Sequence, residues 1–163
     1  MDHTNLTYKD VECLSQDILR QMTQDSWMPD YIVGITRGGL LPAVLISQYL
    51  NVPMETLKVS LRDDSREQEH NLWMPEDAAK GKNILIVDDI NDSGATLNWI
   101  KEDWSDSVAS ADWDNIWNTN VRVAVLINNG PSKFKRIDYS ALEINKLEDP
   151  RWVNFPYEGW WKK

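Results

Sequence analysis

The chain has 163 residues, enough for one domain with a substantial core, and no break in composition divides it. Its formal charge is −9, and no basic stripe is present to neutralise a phosphate backbone, so a nucleic-acid partner is not expected. Gly and Pro are scarce, and no apolar run is long enough to cross a bilayer, which excludes fibrous and membrane-spanning classes. The single cysteine, Cys13, cannot form an internal disulfide, and the polar, acidic opening residues do not read as a leader. A cytoplasmic location is the expectation.

In chain order, residues 8–24 place Val11, Leu14, Ile18, Leu19 and Met22 near one face of a helix. Residues 31–35 (YIVGI) form a short apolar run, read as a buried strand, that ends in Thr36-Arg37-Gly38-Gly39. Residues 40–50 resume helical spacing, with Pro42 acceptable in the first turn. Residues 54–61 read as a further strand. Residues 62–71 are uniformly polar and read as a solvated loop.

Residues 82–100 carry the densest signal. The strand Ile84-Leu85-Ile86-Val87 meets two acids, Asp88 and Asp89, and a loop of Asn, Asp, Ser, Gly, Ala and Thr precedes a helix. Such a turn collects unpaired amides at a helix N-terminus, which favours an anion. The paired acids stand at the carboxyl end of the strand, where open α/β sheets hold ligands. Residues 121–127 (VRVAVLI) form another buried strand and residues 139–144 a further candidate. The segment 105–120, rich in Trp, Asp and Asn, has no clear assignment. The chain has nine tryptophans without a fixed period; some are expected at the core edge or at an interface. Alternating helices and apolar strands predict an α/β fold, with a mainly parallel twisted sheet covered by helices on both faces.

Neither a dinucleotide-binding glycine fingerprint nor a P-loop is present. Instead residues 84–96 (ILIVDDINDSGAT) resemble the signature of type I phosphoribosyltransferases for 5-phosphoribosyl-1-pyrophosphate (PRPP). The resemblance implies that fold, with a core over about 31–128 and a small C-terminal hood over about 137–163. It implies that Asp88 and Asp89 take the ribose hydroxyls, with Asp89 also the magnesium ligand. Asn91, Asp92, Ser93, Gly94, Ala95 and Thr96 would surround the 5′-phosphate, and Asp92 would be the catalytic acid/base near the purine. Residues 34–40 (GITRGGL) resemble the pyrophosphate loop of the 6-oxopurine branch, through Thr36, Arg37, Gly38 and Gly39, with a cis peptide between Thr36 and Arg37. Arg66, and less directly Arg62, would reach the pyrophosphate from a closing loop, in which the usual Ser-Tyr pair is replaced near Ser60-Leu61.

Residues 149–158 (DPRWVNFPYE) look like the hood of xanthine–guanine and hypoxanthine enzymes. Trp152 would stack on the base, the Val153 backbone would read its edge, and Glu158 would meet an exocyclic amine. The family generally carries a lysine after the strand 121–127; here the aligned residue is Asn129, with Lys133 a substitute if its loop folds back. The implied reaction is transfer of phosphoribose from PRPP to a purine base with Mg²⁺ as cofactor, in an assembly that a homodimer would fit. The alternatives are a PRPP-binding regulator on the same fold and a phosphoribosyltransferase with a non-purine acceptor.

Overall fold

The computed structural model describes residues 2–59, 61, 68–108 and 112–163. Arg62, Arg66 and Ser60, singled out in the sequence, lie outside the described residues. The described elements in chain order are β1 (His3–Asn5), α1 (Tyr8–Asp25), β2 (Tyr31–Thr36), α2 (Leu40–Leu50), β3 (Met54–Lys58), α3 (Trp73–Ala79), β4 (Ile84–Asn91), α4 (Ala95–Val108), α5 (Trp113–Ile116), β5 (Val121–Asn129), β6 (Tyr139–Ile144) and β7 (Trp152–Asn154). A short 3₁₀ turn follows at Trp160–Lys162.

Five strands form one parallel sheet in the order β3-β2-β4-β5-β6. Strand pleating sends successive side chains to opposite faces, and the apolar runs at the sheet centre supply both. Tyr31, Val33, Ile35, Ile84, Ile86, Val123 and Val125 face α3, α4 and α5. Ile32, Leu85, Val87, Ala124 and Leu126 face α1 and α2. The expected α/β sheet, covered on both faces, is therefore the observed one. Helix α1 starts at a capping box, in which Thr7 Oγ1 accepts from the Asp10 amide at 3.0 Å and Asp10 Oδ2 accepts from the Thr7 amide at 2.8 Å. No helix among the described residues is long and apolar enough to cross a membrane.

Several boundaries differ from the sequence reading. Strand β4 runs through both acids to Asn91, because pairing with β5 continues past the apolar residues to Asn128. Strand β3 stops at Lys58, and Val59 makes only an isolated antiparallel bridge to Gln68. Helix α3 is too short to show a helical period. Strands β1 and β7, three residues each, pair in parallel and fasten the N-terminal segment to the tail.

The described residues of the unassigned segment form the end of α4 and α5, and its tryptophans, with Trp104 just before it, are core residues. Trp104 and Trp117 are 1 % exposed and Trp113 is 4 % exposed, whereas Trp73, Trp152, Trp160 and Trp161 are exposed. The Trp117 ring lies 6.2 Å from Trp104, 6.0 Å from Trp113 and 6.4 Å from Phe134, centroid to centroid. Such tilted and edge-on contacts add to the area that these large rings bury. Replacing Trp117 by Ala should destabilise the protein by about 3–5 kcal/mol through lost transfer energy and a residual cavity. The shift of the urea unfolding midpoint measures this, and an unchanged midpoint contradicts the buried placement.

Candidate functional site

The carboxyl ends of β2 and β4 open into a cavity of about 1250 Å³. Its walls come from three places: the turn after β2, the end of β4 with the start of α4, and the C-terminal tail. Because β2 and β4 are neighbours, the first two walls touch.

The first wall is Thr36-Arg37-Gly38, with a cis peptide between Thr36 and Arg37, as expected. Its glycines are dictated by space. A Cβ on Gly38 would collide with the Asp89 carboxylate, and one on Gly39 would collide with the Val87 carbonyl oxygen. Gly39 lies behind the cavity wall, where its amide donates to Ile35 O at 2.9 Å and it caps α2. Arg37 is exposed at the mouth.

The second wall carries Asp88, Asp89, Asn91, Asp92, Ser93, Gly94, Ala95 and Thr96, all on the cavity. Asp88 Oδ1 accepts from the Asp89 amide at 2.9 Å, and Asp89 Oδ1 from the Ile90 amide at 2.8 Å. The loop then turns into α4, whose first amides have no intrahelical acceptor. Gly94 has φ +89°, a conformation that disfavours other residues, and a Cβ there would meet Phe134 N and, at 2.6 Å, Ser132 Oγ. Asn91 is only 2 % exposed. Its side chain donates to Asn128 Oδ1 at 2.9 Å and Phe134 O at 3.0 Å, and accepts from Ser132 Oγ at 2.9 Å. That network fixes the floor of the loop.

The third wall is the tail. Trp152 is 42 % exposed and lines the cavity with Val153 and Glu158. Two tail residues that sequence reasoning did not assign also reach the site. The Tyr157 hydroxyl lies 2.9 Å from Gly38 O and 3.1 Å from Asp89 Oδ2, bridging the first two walls, and its ring stacks on Phe155 at 5.6 Å. Burial first, and then the Asp89 carboxylate, push its pKa well above the ordinary tyrosine value. The hydroxyl thus stays a donor. Lys146, in the turn after β6, places Nζ 3.0 Å from Asp92 Oδ2 and 5.4 Å from the Trp152 ring centroid. Asn129, by contrast, is buried behind the cavity, its amide between the Asp92 carbonyl and the Lys146 amide. Lys133 is exposed, and its amide donates to Ser93 O at 2.9 Å.

The assembled chemistry is a ribbon of oxygen ligands beside an amide-rich turn, faced by an aromatic ring and a lysine. Two carboxylates fit a magnesium ion, which binds through one or two protein carboxylates and completes its shell with substrate phosphates and water. Tyr157→Phe should remove the bridge between Gly38 and Asp89 and lower unfolding stability by about 1 kcal/mol. Urea unfolding checks this, and wild-type stability would argue that the bridge holds nothing.

Xanthine phosphoribosyltransferase 1 of Saccharomyces cerevisiae is 25 % identical, the match covering 64 % of this chain and 61 % of that protein. The xanthine-guanine phosphoribosyltransferase of Cereibacter sphaeroides is 38 % identical over 43 % of this chain and 44 % of its own. The chain thus spans less than two thirds of these relatives. A purine phosphoribosyltransferase structure from Pyrococcus horikoshii shares the fold, with a TM-score of 0.69 at 24 % identity, covering 96 % of this chain and 94 % of that one. A model of the phosphoribosyl transferase domain matches residues 2–158, and the chain belongs to that family.

Proposed function

We propose that the protein transfers the 5-phosphoribosyl group of PRPP to a purine base and releases pyrophosphate. The observation that carries this reading is the meeting of three walls: two acids and an amide turn on β4, the Arg37–Gly38 turn beside them, and Trp152 opposite. Family membership and the names of the relatives support the reaction class, and the relatives named for xanthine and guanine support a purine with a 6-oxo group.

In this reading Asp88 and Asp89 accept from the ribose hydroxyls, and the turn from Asp92 to Thr96 holds the 5′-phosphate by its amides and hydroxyls. A bound Mg²⁺, for which Asp89 is the proposed ligand, would neutralise the pyrophosphate and polarise it as a leaving group. Arg37 and the backbone of Gly38 hold that pyrophosphate, and Arg66, outside the described residues, is the further cation the resemblance assigns to it. Trp152 stacks on the base, with Val153 and Glu158 along its edge, and Asp92 exchanges a proton with the base as the glycosidic bond forms. The gain in rate comes from holding donor and acceptor in line and from stabilising the departing charge. We place the protein in the cytoplasm, as one domain with small-molecule partners and a homodimeric assembly.

Pyrophosphate release on addition of PRPP, magnesium and each base in turn tests this. Turnover is expected with hypoxanthine, guanine or xanthine. The double variant Asp88→Asn, Asp89→Asn should lose kcat/KM by on the order of 10²–10³ or more, as a site loses charges aimed at the transition state. Unaltered turnover in that variant overturns the assignment.

A further inference from the structure

The geometry points to Lys146 as the residue that selects the base, with Asn129 as its positioning residue. This inference rests on the phosphoribosyl-transfer reading and goes beyond it, because the family resemblance places a lysine at position 129 and this chain has none there. The structure supplies a cation to the same corner from the turn after the next strand.

Lys146 is held at both ends. Its backbone amide donates to Asn129 Oδ1 at 3.0 Å, and Asn129 Nδ2 donates to the Asp92 carbonyl oxygen, also at 3.0 Å. Asn129 is 7 % exposed, so one buried amide ties the backbone of the lysine to that of the acid. The turn carrying Lys146 is closed by Asn145, whose side chain accepts from the Leu147 amide at 3.1 Å. At the other end, Nζ contacts Asp92 Oδ2 at 3.0 Å and the Trp152 ring at 5.4 Å from its centroid. The Lys146 side chain is 20 % exposed and that of Asp92 is 28 % exposed.

The ion pair lies against an aromatic ring that lines the cavity. Here the ammonium rests between the acid that must meet the base and the ring on which the base must stack. A base entering that space covers Lys146 and removes it from water. The ammonium has three donors and no acceptor, and Asp92 satisfies one of them. A base presenting a carbonyl oxygen accepts another donor and lets the cation stay paired. A base presenting an exocyclic amino group sets donor against donor and leaves a buried charge short of a partner, which is costly. Lys146 thereby admits 6-oxopurines and rejects 6-aminopurines.

The test measures kcat/KM for hypoxanthine, guanine, xanthine and adenine, with KM for PRPP alongside, in wild type and in Lys146→Met, Lys146→Arg and Asn129→Ala. For Lys146→Met the expected result is a rise in KM for 6-oxopurines of about ten- to a hundredfold, the loss typical of one charged hydrogen bond. The KM for PRPP should hold, and the ratio of 6-oxopurine to adenine turnover should fall by the same factor. Lys146→Arg should recover most of that ratio. Asn129→Ala should show a smaller loss of the same pattern, read as the ratio of 6-oxopurine to adenine turnover. Should Lys146→Met fail to fold, Lys146→Gln carries the same comparison. A wild-type KM and an unchanged ratio in the Lys146 variant overturn the role of Lys146 while leaving phosphoribosyl transfer intact. Wild-type protein that releases pyrophosphate with none of the bases overturns the transfer reading itself.

Discussion

The site depends on one close approach, that of the Gly38–Gly39 backbone to the end of β4. Parallel pairing of β2 with β4 brings their carboxyl ends side by side, with Gly34 registered against Val87. The turn after β2 must then cross directly over the carboxylate of Asp89 and the carbonyl of Val87, where no Cβ fits. Two consecutive glycines are the sequence expression of that constraint. In the proposed reading the consequence is functional: the turn that would meet a polyphosphate lies against the carboxylates that would hold its sugar and metal. Any side chain at Gly38 would separate the two, and the site would lose its shared pocket before the fold lost its core.

The opposite side of β4 shows a second constraint. Gly94 turns with positive φ against the backbone of Phe134, and Phe134 is 5 % exposed beneath it. Phe134 in turn packs on Trp117, which packs on Trp104 and Trp113. The tryptophan-rich segment is therefore a buttress. It fills the space under the amide turn with rigid rings, while Asn91 hydrogen-bonds Asn128, Ser132 and the Phe134 carbonyl beside it. A phosphate cradle needs its amides fixed before the ligand arrives, since ordering them on binding would cost affinity. Rings of this size supply that rigidity with few rotatable bonds.

Much of this was legible in the sequence where chemistry is local. The central strands are continuous apolar runs ended by acids or glycines, so β2, β4 and β5 and the turns that follow them could be read directly. Helix α3 and strands β1 and β7 could not, because seven and three residues are too few to show a period. Tyr157 and Lys146 were not assignable for a different reason. Their partners Asp89 and Asp92 lie 68 and 54 positions away, and nothing in the flanking residues marks such a pairing. The tryptophans of the segment 105–120 looked polar in context because Asp, Asn and Ser alternate with them. Only the tertiary arrangement shows that the rings turn inward.

Those two long-range pairs also explain how an acidic chain would serve the proposed anionic donor. The protein carries a formal charge of −9, and the ligand wall of β4 alone presents Asp88, Asp89 and Asp92. The tail meets two of these acids with donors, the neutral hydroxyl of Tyr157 at Asp89 and the ammonium of Lys146 at Asp92. Arg37 and Lys58 add positive charge on the neighbouring wall of the cavity. Local donors at hydrogen-bond distance outweigh distant charges that water and salt screen. The two tail contacts differ in what they can do. Tyr157 contacts the pyrophosphate turn as well as Asp89, so it ties the position of the tail to the donor half of the site. Lys146 contacts the ring of Trp152 as well as Asp92, so it sets a positive charge beside the proposed place of the base. In the proposed reading the tail thus meets the donor half of the site through a neutral contact and the acceptor half through a charged one, and discrimination between bases falls to the charged contact.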